Sequence, residues 1–371
     1  MRKYYLDNIR WITILIVLFY HVIWIFNALG IKGGLGKLND YQPWDFICTI
    51  IYPWFMILLF LIAGISAKYA LNKQTDNIFI KNKIDKLLVP STLGIFCYQW
   101  SIGYLNLKIG KVWDKIPFPI NFFIASLASI GPLWFIQMLF IFSLLIILIR
   151  KISFYETLYN KCNNLHIFII IILGFIIWGS SLILNTPVII VFRWGIYFTV
   201  YLFGYFIFSH NENQELLSKY RLLLLILSSI FGIIYSFNFY GKNYVEPICL
   251  THPFTNFYAW FMTLTILGYG KKYLDKKPEE FLNKNGQLSI FGKLSKYMIE
   301  NSFGIYVVHY LLCLAPGYFL KFHSNLNIGI IYLIVFLSTF GFSPIIYEIL
   351  KRIPIIRYIT FGIKKKRKIL N

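Results

Sequence analysis

Long apolar runs, separated by short polar and mostly basic breaks, recur from one end of the chain to the other. Ten of them approach the roughly 20 residues that a helix needs to cross a hydrocarbon core at about 1.5 Å per residue. They are Trp11–Leu29, Phe46–Tyr69, Leu87–Leu107, Trp134–Ile149, Leu165–Leu184, Val188–Ser209, Arg221–Phe239, Thr251–Tyr269, Ser302–Leu320 and Ile328–Leu350. The pattern predicts an all-α, polytopic membrane protein of about ten transmembrane helices. It also predicts one integral-membrane domain over residues 1–371, with no room for a large soluble domain. Pro117, Pro119, Gly131 and Pro132 break the stretch before the fourth run, which reads as an interfacial or re-entrant piece. Asn185-Thr186-Pro187 reads as the tight turn of a helical hairpin. The polar stretch from Gly270 to Ser295 reads as a loop with a short surface helix.

Composition agrees with this class: 58% of residues are hydrophobic and only 14% charged, unlike an ordinary soluble domain. The net charge of +21 sets the orientation. With the N-terminus inside, 28 of the 36 Lys and Arg residues fall on inner segments and 8 on outer ones. That bias supports ten spans with both termini in the cytoplasm, and the expected location is the plasma (inner) membrane, as a multi-pass chain. The basic run Lys364–Lys368 reads as a tail held against anionic membrane lipid. No aromatic-basic pattern or nucleic-acid motif accompanies it, so nucleic acid is not an expected partner. No small-residue cleavage site follows the first run, which reads as a retained span. The five cysteines are scattered without CxxC spacing, so neither a metal site nor a disulfide framework is expected.

The chemistry lies in a few polar residues within or beside the apolar runs. Arg10 and His21 are eleven residues apart on the first segment. Eleven helical steps are about three turns, so the two share a face and stand roughly 16 Å apart along the axis. With Arg10 at the membrane surface, His21 falls near the middle of the core, where a titratable side chain is costly. Its two readings are a functional group and a histidine satisfied by a neighbouring helix. Asp7 lies three residues before Arg10, a spacing that permits an ion pair. Arg10 reads as a receiver of anionic substrate or as a positive-inside anchor. Lys83 and Lys86, at i and i+3, share a helical face and suit phosphate as point charges, or else serve topology alone. His309 lies about two turns into the Ser302 run, shallower than His21. It reads as a second polar group of a central cavity, or as a histidine bonded to a neighbouring carbonyl. On the outer side Arg193, His252 and Trp134 are candidates for acceptor contact, with Arg193 reading as a contact for an extracytoplasmic anion or an acceptor sugar. Aromatics at an interface are usually belt residues, but Arg193 sits among apolar neighbours.

These residues resemble acyltransferase family 3, bacterial integral-membrane acyltransferases with about ten spans. The resemblance rests on Tyr5-Leu6-Asp7-Asn8-Ile9-Arg10 with His21 eleven residues after Arg10, on Leu61-Ile62-Ala63-Gly64, and on Lys83 and Lys86 before Pro90. Pro132-Leu133-Trp134-Phe135 and the Gly304-to-His309 stretch match two further landmarks, so the likeness runs the length of the chain. Two positions depart from it. Ala63 stands where the family usually has Ser, and the basic pair is Lys rather than Arg, without the bidentate phosphate geometry of a guanidinium.

The resemblance implies transfer of an acyl group from cytoplasmic acyl-CoA, a co-substrate rather than a bound cofactor, to a hydroxyl of an extracytoplasmic glycan or lipid-linked saccharide. Acetyl is the expected group and succinyl the alternative. His21 is the expected base or a transient acyl carrier. Arg10, oriented by Asp7, would hold CoA phosphates together with Lys83 and Lys86. His309 would orient the acyl carbonyl or the acceptor. Two other classes stand beside this one. A proton-coupled transporter would also use intramembrane His and Arg, but acidic residues are few within the spans and no inverted repeat is evident. A non-catalytic polysaccharide assembly or export partner would not depend on His21. Oligomeric state is not legible in the chain.

Overall fold

The computed structural model describes residues 2–40, 42–128, 131–186 and 191–364. Among them the fold is all-helical, with two isolated antiparallel bridges and no strand. In chain order the helices are α1 (Tyr4–Trp24), α2 (Asp45–Leu71), α3 (Asp76–Lys83), α4 (Val89–Gly94), α5 (Trp100–Ile109), α6 (Ile120–Ala128), α7 (Leu133–Ile149), α8 (Tyr155–Lys161) and α9 (Ile167–Ser180). There follow α10 (Trp194–Phe206), α11 (Asn211–Lys219), α12 (Arg221–Phe239), α13 (Pro247–Leu250), α14 (Pro253–Tyr273), α15 (Ile290–His323), α16 (Ile328–Leu337), α17 (Ser343–Leu350) and α18 (Pro354–Phe361). Pro187, the start of the Val188 run and Lys365–Lys368 of the basic tail lie outside the described residues.

Among the described residues, five helices can cross a membrane by length and composition: α1, α2, α12, α15 and the continuous stretch Ile328–Leu350. The other expected spans are shorter or more polar. Helices α7 and α9 are strongly apolar but have 17 and 14 residues. Helix α14 has 21 residues but carries Asn256, Thr263, Thr265, Lys271 and Lys272. Leu87–Leu107 is no single α-helix, because π-helical turns at Ile84–Leu88 and Ile95–Gln99 interrupt it. The expected tight turn at Asn185-Thr186-Pro187 runs into residues outside those described, and only its flanks are seen. Helix α9 ends at Ser180, Asn185 bridges to Arg193, and α10 begins at Trp194. A short helix, α6, does precede the fourth run.

The chain packs into two compact units. One comprises residues 1–20, 43–76 and 144–302, the other 21–42, 77–143 and 303–371, so the boundary falls inside both α1 and α15. Unit 1 is organised by close helix approach. A Cβ on Gly64 of α2 would lie 2.0 Å from the Tyr201 carbonyl oxygen of α10, and one on Gly204 would lie 2.1 Å from the Leu61 oxygen. Each helix thus presents a glycine to the other's backbone, as close helix packing in membranes favours. Asn8 is fully buried in the same unit. It donates to the Leu274 carbonyl at 2.8 Å and accepts from Trp11 Nε1 and Ser295 Oγ at 3.0 and 2.6 Å. In unit 2 an apolar core gathers Val22, Ile25, Phe26, Ile102, Leu314 and Val335. Helix α18 closes against the start of the π-interrupted stretch. Tyr358 donates to Asp85 Oδ1 at 3.0 Å, Lys364 pairs with the same carboxylate, and Gly362 turns the chain at φ +65°.

The α2–α10 seam gives a direct test. Gly64→Val should cost on the order of 1–3 kcal/mol through overpacking and lower the thermal midpoint in detergent. An unchanged midpoint would contradict the seam.

Candidate functional site

Helix α1 carries His21 three residues before its end at Trp24. The helix stops there because Asn27 takes over the backbone groups: its amide donates to the Trp24 and Ile31 carbonyls at 3.0 and 3.2 Å, and Ile31 N–H donates back to its Oδ1. This closing turn holds the helix end that bears His21. Helix α15 carries His309. It starts at Ile290 rather than at Ser302, so His309 lies 19 residues, or about 28 Å, from its beginning. The mixed polar sequence Ile290–Asn301 thus continues the apolar helix rather than ending a loop.

The two histidines meet. His309 Nε2 lies 3.2 Å from His21 Nδ1, and His309 Nδ1 lies 2.5 Å from the Tyr306 carbonyl oxygen on its own helix. His309 is fully buried and His21 half-buried. The rings of Trp24 and Tyr310 stand edge-on to the His21 ring at 5.9 and 5.1 Å. Tyr306 is itself anchored, its hydroxyl donating to the Pro132 carbonyl at 2.7 Å and its ring lying edge-on to Phe135 at 6.0 Å. Two of the landmark stretches, Pro132–Phe135 and Gly304–His309, therefore meet directly.

The network assigns the protons. A carbonyl oxygen only accepts, so His309 Nδ1 carries hydrogen toward Tyr306. In neutral His309 the Nε2 is then the acceptor, which calls for hydrogen on His21 Nδ1. The basic nitrogen of a neutral His21 is consequently Nε2. A relay of this form orients one imidazole through another and holds one tautomer of it.

Asp7 and Arg10 form the ion pair that their spacing allowed, Arg10 Nη1 lying 3.0 Å from Asp7 Oδ1. Sequence reasoning missed the third member, Ser66 of α2, whose Oγ accepts from Arg10 Nη2 at 2.9 Å. Ser66 stands three positions beyond Ala63, so a hydroxyl does serve Arg10. Gly64, between them, is a packing residue.

Lys83 ends α3 and is half-buried over the Phe79 ring at 5.0 Å, whereas Lys86 is exposed within the π-helical turn. The wider turn does not keep the i,i+3 register of an α-helix, so the expected shared face does not follow from their spacing. Between them, burial works to raise the Asp85 pKa, but hydrogen bonds from Lys364 and Tyr358 outweigh it and hold the carboxyl below its ordinary range.

The three outer-side candidates differ in their surroundings. His252 is the N-cap of α14 and accepts from Phe254 N–H through Nδ1 at 3.3 Å. Trp134 lies half-buried in the landmark turn, whose Pro132 and Phe135 make the contacts to Tyr306. Arg193 is buried and donates to the Leu250 carbonyl. Asp7, Arg10, His252 and Arg193 belong to unit 1, and His21, His309, Lys83, Lys86 and Trp134 to unit 2.

A family model described as an acyltransferase domain (Acyl_transf_3) matches residues 3–348 of the chain. No curated protein and no solved structure matches it.

The tautomer assignment is open to measurement. With histidine labelled at both ring nitrogens, His309 should give the nitrogen shifts of an Nδ1–H ring and His21 those of a ring basic at Nε2, the signals identified by their loss in His309→Gln and His21→Gln. An Nε2–H ring at His309 would refute the relay.

Proposed function

The chain belongs to this family of membrane acyltransferases, and we propose that it moves an acyl group from acyl-CoA to a hydroxyl, with His21 as the base. The observation that carries the reading is the hydrogen bond from His21 Nδ1 to His309 Nε2, backed by the Tyr306 carbonyl. A hydroxyl is a weak nucleophile and needs a base at hydrogen-bond distance. His21 Nε2 takes the acceptor's proton as its oxygen attacks the thioester carbonyl. Positive charge that develops on His21 is shared with His309 through Nδ1. As the tetrahedral intermediate collapses, the C–S bond breaks and His21 returns the proton to the leaving sulfur. The products are an ester and free CoA thiol. His309 acts here as an orienting residue, comparable in role to the third member of a hydrolytic triad.

Lys83 and Lys86 supply positive charge for the phosphates of the donor. Arg10 is assigned a donor-phosphate role from its own unit, where Asp7 and Ser66 hold its guanidinium in place. A ten-span topology with both termini cytoplasmic, as the Lys and Arg distribution favours, would admit the donor from the cytoplasm. The acceptor is then an extracytoplasmic glycan or lipid-linked saccharide, and the membrane is the plasma membrane. Acetyl is the first choice of acyl group, with succinyl the alternative.

Protein in nanodiscs, given acetyl-CoA or succinyl-CoA with a saccharide acceptor, tests this. His21→Ala should retain donor binding and lose about 10²–10⁴-fold in transfer. Full transfer by His21→Ala would exclude it as the base, and no binding of either donor by folded wild type would favour a transporter or assembly role. Lys83→Ala with Lys86→Ala should raise the donor KM with little change in kcat, an effect that shrinks as salt rises. A lowered kcat at unchanged KM would place the two lysines elsewhere in the cycle.

A further inference from the structure

Arg193 is 4% exposed and forms the N-cap of α10. Its Nη2 donates to the Leu250 carbonyl at 2.9 Å, an oxygen that Asn256 also uses at 3.0 Å. Its Nε–H has no hydrogen-bond partner, and it forms no ion pair, among the described residues. The ring of Tyr197 lies 6.0 Å from the guanidinium carbon. The first turn of α10 contains no acidic residue. A guanidinium keeps its proton in proteins, and the start of a 13-residue helix adds the equivalent of about half a positive charge. One shared carbonyl and the Tyr197 hydroxyl, both neutral, answer hydrogen bonds of the guanidinium but not this charge. A buried cation left without an anion is strongly unfavourable, and the groups around such a cation are expected to satisfy it or to await something that does.

The surrounding backbone is firmly held. Arg193 bridges to Asn185, Trp194 N–H donates to the Leu184 carbonyl at 3.1 Å, and a Cβ on Gly195 would lie 2.4 Å from the Ser180 oxygen. Among the described residues the arginine is thus flanked by backbone bonded to the end of α9 and its following turn.

We infer that Arg193 and the N-terminus of α10 form a binding site for an oxyanion, a carboxylate or phosphate group carried by the acyl acceptor. The acceptor assignment rests on the acyltransferase reading, while the anion site stands on the buried charge alone. The chemistry follows from the donors present: a guanidinium edge with Nε–H available, backed by the positive end of a helix, pairs with carboxylate or phosphate oxygens. A neutral saccharide would leave the charge unanswered, so the site selects acidic acceptors.

The test uses the whole protein in nanodiscs of neutral phosphatidylcholine at constant ionic strength. Inorganic phosphate and glucuronate are titrated separately while the thermal midpoint is followed, which needs no acyl-CoA and so is independent of the transfer assay. Wild type should show a saturable upward shift with at least one probe, and Arg193→Gln should bind that probe about tenfold more weakly or worse. Should Arg193→Gln fail to fold, Arg193→Lys, which keeps the charge but loses the planar fork, should still weaken binding about threefold. A response to glucuronate points to an acidic sugar. A response to phosphate that disappears when the discs contain phosphatidylglycerol points to a phospholipid headgroup, and one that persists points to a phosphate on a soluble acceptor. No saturable shift in wild type with either probe, or wild-type affinity in the folded variant, would overturn the site.

Discussion

The Nδ1–H of His309, enclosed by protein, is satisfied by a carbonyl one turn back on its own helix, and the pairing of the two histidines follows from that bond. A buried polar group without a partner is costly, so the tautomer of His309 is set by its local helix rather than by solvent. Once set, it presents an acceptor at Nε2, and His21 lies where that acceptor points. The same stretch of α15 meets two further demands. Gly304 lets the buried Tyr347 ring lie where a Cβ would come within 1.9 Å of it, and Tyr306 ties the helix to the turn at Pro132. A glycine, a tyrosine and a histidine at 304, 306 and 309 are therefore one packing arrangement whose outcome is an oriented imidazole.

Arg10 illustrates the same constraint at a partly exposed position. Its guanidinium is divided between Asp7 on its own helix and Ser66 on α2, so its direction is set by two elements. For a group that would meet phosphate, such pre-orientation lowers the side-chain entropy lost on binding. Arg193 is the opposite case. It is more deeply buried, with only a carbonyl and the neutral Tyr197 hydroxyl as partners and its Nε–H unmet among the described residues. The contrast separates arginines whose charge the fold already answers from one whose charge it leaves open.

Motif residues prove to have mixed duties. In Leu61–Gly64 the glycine serves the α2–α10 seam, with Gly204 reciprocating from the facing helix. In Pro132–Phe135 the Pro132 carbonyl and the Phe135 ring edge support Tyr306. His252 caps a helix. Ser66, which holds Arg10, and Tyr306, whose carbonyl holds His309, carry no sequence signal beyond hydroxyls within apolar helices.

Hydrophobic periodicity determined by itself that the chain is all-helical and built for a membrane, and the eleven-residue spacing determined that Arg10 and His21 share one face of α1. Those properties are local, set by side-chain transfer and by the pitch of one helix. The extent of each helix was not legible in the same way. Polar Ile290–Asn301 extends α15, whereas apolar Leu87–Leu107 is broken by π turns, because tertiary packing decides whether a mixed segment continues a helix and where an extra residue is absorbed. Only the tertiary structure brought His309 against His21, residues 288 positions apart, and selected which nitrogen of each carries the proton. Spacing along one helix cannot encode that choice, since it depends on an acceptor supplied by another.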